Sequence, residues 1–315
     1  MLKKAAFFLS GVNRSRRWSK GGSFIFTFFF TVLTLAGSAQ RVVVLGLDGF
    51  SSEGFNKAKH PNIDKLIAGG VFSLTTRPVM PSVTLPNWTS HLTGSGPEEH
   101  GVTSNAWTLQ KHELSPVAAD AEGYYPSIFK VLKEQVRGVK TAFFYNWAEL
   151  INSMNKKYID ERAFQVNDGY DSNYNRACAF IIRNRKDPQL VFLYSVHTDH
   201  AGHQYGWMSP QYIAAIESAD SAIGVFLKKL QDADLYKDTH FLLITDHGGI
   251  NKGHGGTTMR EMQVPWAITG PSVKKQGLKP FLNSNKNTAL VLARIFKIKQ
   301  VPESWTGVVP RGIFR

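Results

Sequence analysis

Short, nearly continuous apolar runs, separated by stretches of helical periodicity, are the feature that most constrains this fold. Residues 41–47 form the first run, and residues 190–196 and 241–245 form later ones. Apolar runs of this length are typical of parallel strands that are covered on both faces. Because helical stretches separate them, the sequence predicts an α/β fold with a mainly parallel central sheet flanked by helices.

The stretches between these runs carry the spacing of amphipathic helices. In residues 211–230, apolar side chains recur every three or four positions. Helices are also predicted near residues 126–136 and 172–185, with a further strand at 141–145. Strand and helix therefore alternate along most of the chain.

Two stretches, residues 97–125 and 251–288, lack this periodicity and are rich in Gly, Ser, Thr and Asn. They are predicted to be loops, with short strands at most, that form a small cap at one edge of the sheet. The sequence shows no clear linker. Residues 40–315 are therefore predicted to form a single catalytic domain.

Residues 1–39 have the composition of an export signal. They contain six Lys and Arg residues and no acidic residue, followed by an apolar run at 24–36 and the small residues Gly37, Ser38 and Ala39. The sequence therefore predicts a signal peptide over residues 1–39 and an exported protein, periplasmic or secreted. The alternative is an uncleaved N-terminal anchor, which would bring the protein into contact with the membrane.

The charge balance raises a second hypothesis about function. The net charge of the whole chain is +13, and seven of these charges belong to the part after residue 39. A basic surplus favours anionic partners, so a non-catalytic protein that binds anionic polymers is one alternative. However, the Lys and Arg residues are spread along the sequence without one dense patch.

Side chains of metal-ligand type follow three of the predicted strands. Asp48 comes directly after the first strand, Asp199 follows the strand at 190–196, and Asp246 and His247 follow the last one. Because the carboxyl ends of parallel strands meet at the same edge of a sheet, we expect these side chains to lie close together. Taken alone, an Asp after a strand also caps turns, which is the structural alternative.

Two further histidines extend this set. If the chain enters a helix after residue 196, Asp199 and His203 lie on one face of it, four residues apart. His254 lies in a Gly-rich segment whose backbone can fold back toward the other ligands, although a surface-loop histidine is the alternative. Asp and His both bind zinc, and this number of ligands suffices for two adjacent Zn²⁺ ions.

Thr84 is the candidate nucleophile. A threonine hydroxyl is inert near neutral pH unless a base or a metal ion lowers its pKa. Pro86 suits the first turn of a helix, which would place backbone N–H groups near Thr84 for binding an anion. The alternative is that Thr84 caps the N-terminus of that helix.

These motifs together resemble the nucleotide pyrophosphatase/phosphodiesterase branch of the alkaline phosphatase superfamily. The resemblance extends over most of the chain after residue 41 and depends on residues 80–87 (MPSVTLPN), 199–206 (DHAGHQYG) and 245–248 (TDHG), in the order that the family has them. It implies an alkaline-phosphatase-like sheet. It also implies a metal-dependent hydrolase of phosphodiester or phosphoanhydride bonds.

Carried over by position, the resemblance implies two zinc ions beside Thr84, whose hydroxyl is itself one of the metal ligands. One would be held by Asp199, His203 and His254, and the other by Asp48, Asp246 and His247. In that branch the last histidine usually comes much later in the chain, whereas no histidine follows His254 here.

The resemblance further implies a two-step displacement. Thr84 attacks phosphorus, and water then hydrolyses the phospho-threonine intermediate. Asn105 and the backbone N–H of Thr84 would hold a non-bridging oxygen of the phosphate as charge builds in the transition state.

The substrate is expected to be a small phosphodiester or nucleotide, with no specific nucleic acid partner. Relatives that hydrolyse nucleotides commonly carry an aromatic residue directly after the nucleophile, where this chain has Leu85. Tyr145 and Trp147 are candidates for lining the substrate pocket with Leu85 and Asn105, although such aromatic residues are as often core. The alternative activities are a phosphonoacetate-type C–P hydrolase and an envelope phospho-head-group transferase.

Overall fold

An eight-stranded sheet organises the computed structural model, which describes residues 40–279 and 281–315. The strands in chain order are β1 (Arg41–Leu47), β2 (Gly70–Thr76), β3 (Lys140–Tyr145), β4 (Glu161–Phe164), β5 (Gln189–Ser195), β6 (Thr239–Ile244), β7 (Val264–Thr269) and β8 (Gly277–Leu278). Their order across the sheet is β4-β3-β5-β1-β6-β7-β2-β8. The prediction of a mainly parallel sheet is confirmed, because only the β6–β7 and β2–β7 pairs are antiparallel among the named strands.

Helices cover both faces of this sheet. They are α1 (Ser52–Lys57), α2 (Pro61–Ile67), α3 (Thr84–Thr93), α4 (Pro97–His100), α5 (Ile128–Gln135), α6 (Asp171–Arg183), α7 (His197–Tyr205), α8 (Pro210–Asp232), α9 (Met259–Met262) and α10 (Thr288–Ile295). Short 3₁₀ turns lie at Ala148–Ser153, Lys156–Tyr158 and Asn285–Asn287.

The strand β1 shows why the sheet sits in the middle of the molecule. Val42 and Val44 pack into a core shared with α3, α5 and α10, while Val43 and Leu45 pack into a second core shared with α1, α2, α6 and α8. Every residue of β1 is buried, as expected for an apolar run with both faces covered. Each buried Val or Leu side chain of this kind contributes roughly 1.5–3 kcal/mol of burial free energy.

The segment 251–288 differs from its expected loop structure, because it contains the buried strand β7 between β6 and β2. Pro265 is unusual in a central strand, since proline has no N–H to donate to a ladder. Here it lies at the irregularity between the residues paired with Ser73 and Thr76, beyond the last residue paired with β6. Neither the β2–β7 pairing nor the β6–β7 pairing therefore requires an N–H group from Pro265.

The predicted signal peptide lies outside the described residues. The residues that the structure describes pack as one compact unit. No helix within residues 40–279 and 281–315 has the length and apolar character needed to cross a membrane.

Candidate functional site

Three buried carboxylates meet at the carboxyl ends of the neighbouring strands β5, β1 and β6. Asp48 follows β1 directly, Asp246 lies two residues after β6, and Asp199 lies in the first turn of α7, just after β5. Asp48 and Asp246 are fully buried, and Asp199 is 6% exposed. Because three carboxylates this close repel each other in a medium of low polarity, the cluster calls for positive charge.

His247 lies at the centre of the cluster. Its Nδ1 is 2.9 Å from the carbonyl oxygen of Gly248, so Nδ1 carries the proton and donates it there. Its Nε2 lies 3.1 Å from Asp246 Oδ2, 3.5 Å from Asp48 Oδ1 and 3.3 Å from Thr84 Oγ1. A ring nitrogen surrounded by carboxylate oxygens indicates a shared cation, which is a proton on Nε2 or a metal ion.

A second pair of imidazoles adjoins Asp199. His203 Nδ1 is 2.9 Å from the carbonyl oxygen of Lys252, and His254 Nδ1 is 3.0 Å from that of Ser82. Both rings thus turn Nε2 inward, with the two Nε2 atoms 3.2 Å apart. These atoms lie 3.4 Å and 3.8 Å from the carboxylate oxygens of Asp199. The prediction that α7 places Asp199 and His203 on one face is confirmed.

The donor chemistry of these residues fits metal ions. One oxygen of each carboxylate, namely Asp48 Oδ1, Asp199 Oδ1 and Asp246 Oδ2, is buried without a hydrogen-bond donor among the described residues. Two groups have ligand atoms within 4.8 Å of one another, namely Asp48, Asp246 and His247, and Asp199, His247 and His254. His203 approaches the second group from the solvent side, with 44% of its side chain exposed.

The electrostatics of the cluster support the same conclusion. Burial, reinforced by the charges of Asp246 and Asp199, raises the pKa of Asp48 well above its usual range. Burial alone would lower the pKa of His247, but the charge of Asp246 raises it to about 10. Without other cations, a proton on His247 is therefore the main compensation for the buried negative charge. A metal ion in the cluster would take over this role.

Two side chains that the sequence did not single out fix Asp48. Trp88 Nε1 donates to Asp48 Oδ2 over 3.1 Å, and the hydroxyl of Tyr194 donates to the same oxygen. Trp88 lies four residues after Thr84 on α3. Because residues four apart lie on the same face of a helix, the sequence could have predicted that Trp88 faces the cluster with Thr84. Tyr194 lies in the buried strand β5, where nothing in the sequence distinguishes it from a core residue.

Thr84 is the first residue of α3, and its hydroxyl faces the cluster at His247. The residue at the N-cap position is Val83, so Thr84 does not cap the helix. N–H groups in the first turn of a helix have no carbonyl partner within the helix. The N–H of Leu85 donates to Asn105 Oδ1 over 2.8 Å, which leaves Nδ2 as the free group of Asn105.

A cavity of about 220 Å³ opens onto this cluster. It is lined by Asp48, Thr84, Asn105, Trp147, Tyr194, Val196, Asp199, His200, His203 and His254. Of the predicted pocket residues, Asn105 and Trp147 thus line the cavity. The structure places the other two in the core: the Leu85 side chain packs against Val102 and Trp107, and Tyr145 packs in the core next to Phe143.

Known proteins match a large part of this chain. A model of the family described as type I phosphodiesterase / nucleotide pyrophosphatase matches residues 42–253. Human ectonucleotide pyrophosphatase/phosphodiesterase family member 1 is 28% identical over 216 residues, which span 65% of this chain and 23% of the human protein. A pyrophosphatase/phosphodiesterase of Schizosaccharomyces pombe, itself uncharacterised, is 27% identical over 224 residues, or 66% of this chain and 44% of that protein. The chain therefore spans less than half the length of these relatives.

Solved structures match the fold over most of the chain. Murine ectonucleotide pyrophosphatase/phosphodiesterase 5, an inactive variant in complex with AMP, gives a TM-score of 0.69 at 15% identity, covering 84% of this chain and 96% of that one. The human counterpart gives a TM-score of 0.68 at 16% identity, with the same coverage. Because the family model spans two thirds of the sequence and the fold agrees, the chain belongs to the type I phosphodiesterase / nucleotide pyrophosphatase family, within the alkaline phosphatase superfamily.

Proposed function

We propose that the protein is an exported two-zinc phosphodiesterase or pyrophosphatase that acts through a phospho-threonine intermediate at Thr84. The family is one of phosphodiesterases and pyrophosphatases. The observation that carries the proposal is the convergence of three buried carboxylates and three inward-facing imidazole Nε2 atoms beside the Thr84 hydroxyl.

The residues would divide into two metal-binding sets. Asp48, Asp246 and His247 would hold one zinc ion, and Asp199, His203 and His254 the other. Bound zinc ions supply the positive charge that lowers the pKa of a nearby hydroxyl and stabilises the charge on phosphorus oxygens. The unpartnered carboxylate oxygens support this division, since each set contains at least one of them.

The protein groups around Thr84 would then orient the reaction. Thr84 Oγ1 attacks phosphorus, and the bond from phosphorus to the leaving alcohol breaks. Nδ2 of Asn105 and the backbone N–H of Thr84 would donate to a non-bridging oxygen as its charge increases. Water subsequently hydrolyses the phospho-threonine, which restores the Thr84 hydroxyl.

The lining of the cavity favours a diester over a monoester. No Lys or Arg lines it among the described residues, so no fixed side-chain cation is available for the second negative charge of a monoester. Trp147 supplies an aromatic surface for the organic part of the substrate. A related fold was solved with AMP, which supports a nucleotide as one candidate substrate.

Export is part of the proposal and depends on the sequence of residues 1–39. Their basic stretch, apolar run and small residues favour a signal peptide, and the protein would act in the periplasm or outside the cell.

The test is turnover of three chromogenic esters by wild type, Thr84→Ala and Thr84→Ser. These esters are bis(p-nitrophenyl) phosphate, p-nitrophenyl phosphate and thymidine 5′-p-nitrophenyl phosphate. We expect diester turnover that exceeds monoester turnover, falls by at least about 1000-fold in Thr84→Ala and partly survives in Thr84→Ser. A preference for the thymidine ester would identify a nucleotide substrate.

The same assay can contradict the proposal. Full diester turnover by Thr84→Ala would exclude Thr84 as the nucleophile. No turnover of any ester by zinc-loaded wild type would favour phosphonate hydrolysis or head-group transfer instead.

A further inference from the structure

Five cations gather on one surface of the fold, away from the metal-ligand cluster. They are Lys237, Lys275, Arg294, Lys297 and Arg315, which we call the cationic face. They line two adjoining cavities of about 440 and 330 Å³ that share Arg315. These residues are scattered along the sequence, and only the fold brings them together.

The cations of this face form no ion pairs within the part of the chain that the structure describes. No Asp or Glu side chain lines either cavity among the described residues, and none of the five cations forms an ion pair with another described residue. The neighbouring Asp238 instead acts on the buried guanidinium of Arg41. All five cations are exposed. Such a surface attracts an anionic partner.

The position of the cationic face follows from the strand directions. Thr239 begins β6 and Thr269 ends the antiparallel β7, and both line the cavity that contains Lys237 and Lys275. This is the amino end of β1, whereas Asp48 follows its carboxyl end. With about 3.3 Å per residue, the seven residues of β1 separate the two ends by roughly 20 Å. The cationic face therefore lies at the end of the sheet opposite the metal-ligand cluster.

The sequence that precedes β1 joins the fold at this same end. Residues 1–39 connect to β1 through Gln40, whose carbonyl oxygen accepts a hydrogen bond from the N–H of Gln189. They contain six cations, no carboxylate, and the apolar run at 24–36. Gln40, the first residue that the structure describes, therefore lies at the end of the sheet that carries the cationic face.

Partly exposed apolar side chains lie among the cations. Ile298 and Phe314 line the cavity of Arg294, and Tyr236 lines that of Lys237. A surface that mixes Lys and Arg with Tyr, Phe and Ile matches the boundary between anionic head groups and acyl chains. A soluble sulfated polysaccharide offers little apolar surface for these side chains.

We propose that the cationic face docks on an anionic phospholipid surface. In this arrangement the metal-ligand cluster faces away from the membrane, toward substrates that arrive from the aqueous side. Each cation close to such a surface contributes about fivefold to binding, and salt weakens the effect.

The test measures how strongly the exported protein, with the N-terminus that its processing leaves, partitions into lipid vesicles. Vesicles of phosphatidylcholine are compared with vesicles that also contain phosphatidylglycerol. The measured quantity is the partition coefficient with phosphatidylglycerol divided by that without it. Because all variants share the same N-terminus, a difference in this ratio between them does not come from the N-terminal segment. We compare wild type with Lys275→Glu/Arg294→Glu, which changes one cation in each cavity.

A matched control reverses two exposed cations elsewhere, in Lys111→Glu/Arg162→Glu. We expect the ratio to fall at least about tenfold in Lys275→Glu/Arg294→Glu and to change far less in the control. Turnover of diesters in solution should stay at the wild-type level in both variants, so this test is separate from that of the catalytic proposal.

Three outcomes would overturn the proposal: a wild-type ratio near one, a ratio unchanged by Lys275→Glu/Arg294→Glu, or an equal fall in the control. Tight binding to dextran sulfate combined with a ratio near one would instead assign the cationic face to soluble anionic polymers.

Discussion

At the scale of single residues, the two oxygens of Asp48 have different environments. Oδ2 accepts hydrogen bonds from Trp88 and Tyr194, while Oδ1 has no donor and faces His247. Donors that hold one oxygen of a carboxylate orient the other one toward a metal ion. The roles of Trp88 and Tyr194 are therefore to position Asp48.

Removal of the Tyr194 hydroxyl tests this positioning. In Tyr194→Phe, Asp48 keeps only the bond from Trp88, so we expect weaker zinc binding and diester turnover lowered by about 10- to 100-fold. Excess zinc should restore part of the turnover. The control is Tyr158→Phe, because the hydroxyl of Tyr158 has no hydrogen bond among the described residues. Equal zinc affinity in wild type and Tyr194→Phe would show that this hydrogen bond does not position Asp48.

The sequence correctly predicted that the three aspartates converge at one edge of the sheet. It was less successful in predicting which side chains line the cavity. Asp48, Asp199 and Asp246 converge because the carboxyl ends of neighbouring strands must share one edge of the sheet. The direction of a side chain next to such an edge depends on local packing. Leu85 and Tyr145 consequently turn into the core, which no sequence pattern revealed.

At the scale of elements, the loop before α9 carries His254 and is held by one carboxylate. Glu261 Oε1 accepts from the N–H of Gly256 over 2.7 Å, and Oε2 accepts from Thr258 N–H over 3.1 Å and from its hydroxyl over 2.6 Å. This capping box closes the loop. The Ser82 hydroxyl donates to the carbonyl oxygen of Gly256, and the Ser82 carbonyl oxygen accepts from His254 Nδ1. Glu261 therefore fixes the position of His254 without contact to it.

Replacement of this carboxylate should loosen the loop. In Glu261→Gln, one acceptor oxygen becomes an NH₂ group that faces a donor, so we expect diester turnover to fall about tenfold and one zinc ion to bind more weakly. Zinc titration followed by calorimetry would detect the loss at a single ion. Glu303→Gln is the control, since it removes the same charge from an exposed position. If both zinc ions bind as in wild type, Glu261 does not position His254.

The strand β7 was missed because its sequence signals conflict. The strand β7 contains Pro265 and follows a Gly-rich segment, two features that argue against a central strand. It forms because a break in its pairing with β2 removes the need for the proline N–H. By contrast, β1 was predicted to the residue, since an uninterrupted apolar run has few alternatives.

At the scale of the whole molecule, buried neutral histidines make stability depend on pH. Burial lowers the pKa of His100 to about 3, and those of His91 and His240 to about 4. The Nδ1 of His100 accepts from the N–H of Val102, which requires the neutral ring. Because the unfolded chain binds these protons near pH 6.5 and the folded chain does not, stability falls as the pH decreases below about 6.5.

The contribution of His100 can be isolated by substitution. Between about pH 6 and pH 4, we expect the unfolding free energy of wild type to fall by up to about 1.4 kcal/mol per pH unit more than that of His100→Gln. Urea denaturation at each pH gives both values. Parallel pH profiles for the two proteins would show that His100 takes up its proton equally in the folded and unfolded chains.

The central claim is that the cluster at the sheet edge binds two zinc ions that turnover requires. The most direct measurement is the zinc content per chain by mass spectrometry, taken on the same samples whose diester turnover is recorded. We expect two ions per chain in active wild type, about one in His254→Ala, and recovery of turnover only when a chelated sample regains both. Full turnover with one zinc ion per chain, or with none, would contradict it.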